Sequence, residues 1–445
     1  MQKLTRRYFF LGTAAATLPA RPKSTKSAAN KVVLALIGAG GRGDDLAQKL
    51  QRVENVEFKY VCEVNDENGA NTIRHLESVT GRRPKRVLDM RHTFDDPDVD
   101  GVVITTPEHW HALASVWACQ AGKDAYVEKC ISLTIWEGRK MIEAARKYKR
   151  VVQCGTQNRS APYTTSAKEY IASGQLGKVL QVKVFNLLPP TGDWAPLEPL
   201  QDRAVPAGLD WDAFLGPAPN KPYNPNRIAH WEAYWDYGGG ALSSDASHQL
   251  DQVRMVLGDP PHPRTIYAVG GRFSANDGRE APDTQVITYN YDDFVMTCES
   301  GTFSPYLKKF PNAVRQGDIW PTWNHHSTRV EIYGTKQIMF LGRHGAGWQA
   351  MEEDGKVVAE DAGRHPDKWH QPNFIDSIRT RSMPNSDIEQ GHYSSCVVHL
   401  GNLAYRAGNE HLVFDGKKER FDNNDWANNH LKPAYRKHYR VPEQV

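Results

Sequence analysis

Long runs of one charge are missing from this chain of 445 residues: 55 Lys and Arg are interspersed with 52 Asp and Glu. A nucleic-acid footprint needs a concentrated basic patch or stripe, so a phosphate-backbone partner is not expected. Also missing beyond the N-terminus is any stretch near the roughly 18 consecutive apolar residues of a membrane span. The six cysteines, Cys62, Cys119, Cys130, Cys154, Cys298 and Cys396, form no CxxC pair and no repeated spacing. Neither a zinc site nor a disulfide framework is therefore indicated, and thiols within apolar runs read as buried and reduced. Internal repeats and low-complexity segments are absent as well. With 40% hydrophobic residues the chain can bury a large core, divided between two or three domains of roughly 100 to 200 residues each.

The N-terminal string "LTRRYFFLGTAAATLPA" places Arg6 and Arg7 before an apolar run that ends in small residues near Ala20. This arrangement reads as a twin-arginine export signal over residues 1–30, linker included, and predicts export of the folded protein to the periplasm. A short basic tail is the plainer alternative.

From Lys31 to Gly155 strand and helix patterns alternate. "KVVLALIG" is the branched apolar run of a parallel strand buried on both faces. It runs into Gly38, Gly40, Gly41, Arg42 and Gly43, a GxGxxG turn at the head of a helix. In such a turn the first Gly permits a tight reversal, the second lets a pyrophosphate approach, and the third allows close packing of helix on strand. The helix N-terminus then faces the diphosphate charge. Twenty residues later Glu63 ends the next strand, where a carboxylate can take ribose hydroxyls and repel a 2′-phosphate, which favours NAD. Arg42 keeps NADP open, because a guanidinium beside that pocket could accept the phosphate. "DGVVITTP", "DAYVEK" and "RVVQCG" continue the strands, six in all, of a doubly wound α/β domain. Ligands of such sheets bind at the C-terminal strand edges, where Thr105, Thr106, Pro107, His109, His111, Glu128 and Lys129 fall.

After Gly155 the pattern changes to a helix over residues 163–173 and the long strand "KVLQVKVFNLL". A segment rich in Pro and Trp follows over 189–226, then alternating strands from "PRTIYAVGGRF" to "KQIMFLG". The economical assembly for residues 156–445 is one large, mostly antiparallel sheet with helices on one face. The stretch "HWEAYWDYGGG" concentrates Trp231, Tyr234, Trp235 and Tyr237. It is either aromatic core or a platform on which a sugar ring stacks, with Trp231 and Trp235 as the substrate candidates.

The glycine turn, "TTPEHWHALASVWACQAGKDAYVEKC" and "DYGGGALSSDASHQLDQV", in that order and spacing, resemble the Gfo/Idh/MocA superfamily of oxidoreductases. The resemblance implies a Rossmann domain followed by an α/β domain whose open sheet mediates homo-oligomers. Its chemistry is hydride exchange between a nicotinamide cofactor and a secondary alcohol of a sugar, cyclitol or glycoside. The family's Glu-Lys-Pro triplet corresponds to Glu128, Lys129 and Cys130, with Lys129 in the active site. A cis bond before Cys costs about 3 kcal/mol, against little before Pro, so the backbone there is expected to differ. The family's downstream Asp position falls on Ser244, whereas the carboxylate is on Asp245 and the His on His248. Asp245 is thus a catalytic and substrate-contacting candidate whose side chain a one-residue shift is expected to turn aside.

Hydride transfer from a carbinol needs an acceptor for the hydroxyl proton and a group that steadies the alkoxide. Lys129 and His248 suit both needs. No metal ligands are indicated: His109 and His111 have no partners at matching spacing, and His325 and His326 are equally weak. The leading functional reading is an NAD-dependent sugar or glycoside oxidoreductase. The alternative is a redox-neutral glycosidase or lyase that oxidises C3, eliminates the aglycone and takes the hydride back. Export favours the alternative or another closed cycle with tightly held cofactor, whereas Lys129 favours the dehydrogenase. A non-catalytic sugar-binding homologue is the weakest reading.

Overall fold

In the computed structural model, residues 31–445 are described apart from Ala275 and Lys437; the proposed export signal lies outside the described residues. The first sheet comprises β1 (Val32–Ile37), β2 (Val56–Cys62), β3 (Lys85–Val87), β4 (Gly101–Ile104), β5 (Asp124–Val127) and β6 (Val152–Cys154). All its pairings are parallel, in the order β3-β2-β1-β4-β5-β6. The apolar run of β1 explains its central place: Leu34, Leu36 and Ala35, Ile37 feed separate cores on the two faces. Thr134 and Glu137 cap the helix Ile135–Lys147 reciprocally, which fixes the chain's entry after β5.

The second sheet has ten strands: β7 (Val179–Leu187), β8 (Thr265–Gly271), β9 (Thr284–Asn290), β10 (Val295–Gly301), β11 (Arg329–Gly334), β12 (Ile338–Gly342), β13 (Trp348–Met351), β14 (Val357–Asp361), β15 (Leu412–Asp415) and β16 (Arg420–Phe421). Their order is β14-β13-β12-β11-β7-β10-β9-β8-β15-β16, antiparallel except where β10 lies parallel to β7. Ile266, Ala268 and Ile287 point to a core shared with the helices Ser247–Val256 and Ile388–Arg406. The alternate residues Tyr267, Val269 and Val286 are exposed on the opposite face. The expected long strand and helix after Gly155 appear as Val179–Leu187 and Pro162–Ala172. All six cysteines are buried and unbridged. Among the described residues no helix is long and apolar enough to cross a membrane.

Candidate active site

A cleft of about 900 Å³ runs along the C-terminal edge of the first sheet and is closed from above by the second half of the chain. Its floor is the turn after β1. Gly43 is packed beneath it, where a Cβ would lie 2.2 Å from the Gly38 carbonyl oxygen; at Gly40 and Gly41 a Cβ would meet nothing within 4 Å. The turn therefore presents bare backbone at the head of the helix Gly41–Gln51, as a diphosphate requires. Thr105 Oγ1 donates to Gly38 O at 2.7 Å and holds the turn to β4. Glu63 also anchors it, accepting from Ala39 N at 2.6 Å and Asn65 N at 2.8 Å. Each carboxylate oxygen retains a lone pair for a hydroxyl. Burial raises the Glu63 pKa, against these amide bonds.

Gly38, Gly40, Gly41, Arg42, Glu63, Thr105, Thr106, Pro107, His111, Glu128 and Lys129 all line the cleft. Thr106 Oγ1 is buried there without a protein partner, an orphan that a bound polar ligand would satisfy. The glycine turn, Glu63 and Thr106 together fit a dinucleotide.

Several expectations need correction. His109 turns its Nε2 to the Phe214 carbonyl at 2.9 Å and its ring against Tyr237, out of the cleft. Arg42, which lines the cleft, reaches across it to Glu128 at 2.8 Å and pairs with Asp45 at 2.8 Å. Trp235 lines a separate cavity with Arg406 above its ring; only Trp231 reaches the cleft. Finally, the Lys129–Cys130 peptide is cis, so the backbone difference expected from the missing proline is not seen at that bond.

Lys129 reaches over from the end of β5 and donates to the Ser244 carbonyl at 2.7 Å. His111 braces the same strand end, its ring nitrogens 2.6 Å from Cys130 O and 2.7 Å from Thr106 O. Segment Leu242–Ala246 forms a π-type turn, which takes up one residue more than an α-helical turn. That extra residue lets Ser244, Asp245 and His248 all line the cleft. Asp245 is therefore not turned aside. It accepts from Lys309 at 2.9 Å and Arg343 at 3.0 Å. Although burial opposes ionisation, these two cations hold the Asp245 carboxyl far below its usual range. Its two ion pairs make it an anion that organises the wall. Burial, aided by the charges of Arg343, Lys129, Arg42 and Lys309, lowers the His248 pKa well below the ordinary histidine value. The imidazole is thus neutral at pH 7 and surrounded by cations.

Residues 32–156 match the domain described as "Oxidoreductase family, NAD-binding Rossmann fold". Residues 163–303 and 334–441 match its companion, the C-terminal alpha/beta domain of the same family. The chain belongs to the Gfo/Idh/MocA oxidoreductase family. Among curated Gfo/Idh/MocA relatives, levoglucosan dehydrogenase of Pseudarthrobacter phenanthrenivorans is 28% identical over 296 residues, 62% of this chain and 63% of that protein. The alpha-N-acetylgalactosaminidase of Shewanella oneidensis is 28% identical over 150 residues, 31% of this chain and 32% of that protein. The alignments thus span between about a third and somewhat under two thirds of these relatives. In fold, the chain resembles a levoglucosan dehydrogenase solved with NADH and levoglucosan, with TM-score 0.62, 19% identity, and coverage of 86% of this chain and 99% of that one. Myo-inositol dehydrogenase of Lactobacillus casei gives TM-score 0.60 at 14% identity, covering 86% and 97%.

The Gfo/Idh/MocA signatures left much of the wall unseen. Trp194 and Phe214, from the Pro- and Trp-rich segment, Glu232 beyond it, and Lys309, His344 and His365 also line the cleft. They come from loops and from helices of three to five residues, too short for a periodicity that would mark a residue as inward-facing.

Proposed function

We propose that the chain is an NAD-dependent oxidoreductase that exchanges hydride between a tightly held nicotinamide cofactor and a secondary alcohol of a sugar or glycoside. The observation that carries this reading is the meeting of the glycine turn, Lys129 and His248 in a single cleft. The bound cofactor supplies the hydride acceptor and donor. Gly40 and Gly41 offer the diphosphate their open backbone, and Glu63 faces the ribose hydroxyls. His248, neutral and with a free lone pair, takes the carbinol proton, while the Lys129 ammonium steadies the oxygen left behind. Lys309 and Arg343, pinned by Asp245, add positive potential to the same wall. Trp231 and Trp194 give the sugar apolar ring faces to lie against.

A redox-neutral glycosidase is the second reading, supported by the match to the alpha-N-acetylgalactosaminidase. Export through the twin-arginine route is part of either proposal, since a folded protein can leave with its cofactor loaded. The exposed Tyr267, Val269 and Val286 of the second sheet support a homo-oligomer joined across that face.

The test is a glycoside panel offered to purified protein with and without added NAD. NADH formed only when NAD is supplied supports the oxidoreductase, and aglycone release without added nucleotide supports the redox-neutral cycle. Failure to bind NAD or NADP, together with no turnover, overturns both.

A further inference from the structure

Among the described residues, a group of metal-ligating side chains lies away from the cleft. His392 and Cys396 stand one turn apart on the helix Ile388–Arg406 and so share a face. Against them come His262, from the loop before β8, and Glu419, from the turn between β15 and β16. Ligand atoms of His262, Cys396 and Glu419 lie within 4.8 Å of one another. Around a tetrahedral Zn²⁺ with bonds of 2.0–2.3 Å, neighbouring ligand atoms stand about 3.3–3.8 Å apart. Cys396 Sγ is 3.5 Å from His392 Nε2, and His262 Nε2 is 3.6 Å from Glu419 Oε1. His392 Nε2 makes a hydrogen bond of 2.7 Å to Glu419 Oε1 that an inserted ion would open, and it stands outside the group of three whose ligand atoms all lie within 4.8 Å.

We propose that His262, Cys396 and Glu419, with His392 drawn in as a fourth ligand when the ion enters, form a structural site for a borderline-soft divalent cation, Zn²⁺ by ligand type, that ties the C-terminal hairpin to the helix beneath it. A second observation points to a ligand: the His262 side chain is only 4% exposed, with Nε2 3.6 Å from the Glu419 carboxylate and Nδ1 buried without a partner. Its ring is packed edge-on against Tyr393 and Phe414. Charge also balances, because a dication with one thiolate and one carboxylate is neutral in a buried place. The thiol proton leaves to solvent as the Cys396 sulfur binds. Arg139 now grips both oxygens of Glu419, at 2.6 and 3.1 Å. A third of its side chain is exposed, so the guanidinium can swing out when the ion enters. Spacing in the sequence concealed the site because its ligands come from three separated segments.

The experiment is metal analysis and spectroscopy of the whole chain, stripped with a chelator and then given Zn²⁺ or Co²⁺. One equivalent of Zn²⁺ should survive gel filtration, and Co²⁺ should give tetrahedral visible bands with a thiolate charge-transfer band. Cys396→Ser should remove the charge-transfer band, and His262→Ala the retained zinc, whereas Arg139→Gln should bind zinc more tightly by on the order of tenfold. His248→Ala, in the cleft, should keep the metal. No retained Zn²⁺ in the unaltered chain, no thiolate band with Co²⁺, or loss of the metal in His248→Ala would overturn the proposal, and the first two require no variant to fold.

Discussion

His248 and His344 meet edge to face with ring centroids 4.4 Å apart. His248 rides on the helix that follows the π-type turn, while His344 stands in the left-handed turn after β12, its N–H donating to Asn158 at 2.9 Å. Burial depresses both pKa values well below the ordinary value. His344 is therefore a neutral wedge that sets the tilt of His248, and it should act through that ring. His248→Ala is expected to lower kcat/KM by about 10²–10⁴-fold, the usual loss on removing a general base. His344→Ala should cost less and mainly in kcat, with NAD binding unchanged. A larger loss in His344→Ala than in His248→Ala would reverse the two roles.

Stability should rise with pH between about 4.5 and 6.5. Burial lowers His109 and His370 to about 4 and His399 to about 3. Their folded pKa values lie below the unfolded ones, so they add stability above about pH 6.5 that is lost as pH falls. Burial raises Glu108 and Glu137 to about 7, which works the other way, adding stability below about pH 4.5 that is lost on the rise through 7. The histidines win by number, since His111, His248, His344 and His392 are lowered too. Denaturant midpoints measured at pH 5 and pH 7 test the sign, which a higher midpoint at pH 5 would contradict.

The first sheet was legible because buried parallel strands write continuous apolar runs, and GAGGRG follows the first of them. Lys129 and His248 were found through a family signature. The offset of Asp245 was misread because residue counting assumes an α-helical period, whereas the turn at Leu242–Ala246 is wider. Trp235 and His109 were misplaced because a helix or loop rich in aromatics does not declare which ring faces inward. β13 to β16 and the helices Asp367–Thr380 and Ile388–Arg406 escaped notice. The last is buried nearly all round and so has no polar stripe to set its phase.

The two kinds of glycine in the turn should separate experimentally. Gly43→Ala sets a Cβ against the Gly38 carbonyl at 2.2 Å and Thr105 Oγ1 at 2.7 Å, so it should lower Tm and abolish nucleotide binding together. Gly41→Ala meets open space and should leave Tm of the nucleotide-free chain unchanged while weakening NAD binding. Calorimetry of both variants beside NAD titration checks the contrast, and equal Tm losses would refute it.

Glu63 has two duties, and they should fail differently. Glu63→Gln keeps one oxygen for a backbone amide but removes the charge that repels a 2′-phosphate. NAD affinity should fall modestly and the preference over NADP should narrow by about tenfold, the equivalent of 1.4 kcal/mol. Glu63→Ala also frees Ala39 N and Asn65 N, so binding of both nucleotides should drop. Fluorescence titration with each nucleotide is sufficient, and unchanged discrimination in Glu63→Gln would sink the assignment.

Asp245 offers the sharpest test of a fixed anion against a proton-exchanging one. Asp245→Asn preserves size but leaves Arg343, whose side chain is 3% exposed, and Lys309, 36% exposed, without a counter-charge. Removing one partner of a buried pair costs about 3–5 kcal/mol, and the exposure of Lys309 argues for the lower end. Tm should therefore fall by several degrees. With its negative charge gone, the surrounding cations depress His248 further, so the acid limb of kcat/KM should move to lower pH while the maximum persists at reduced height. Were Asp245 instead the group that takes the carbinol proton, Asp245→Asn would abolish turnover at every pH, with the fold intact. Lys309→Met in the Asp245→Asn background should recover part of the lost Tm, because it removes one of the two stranded cations.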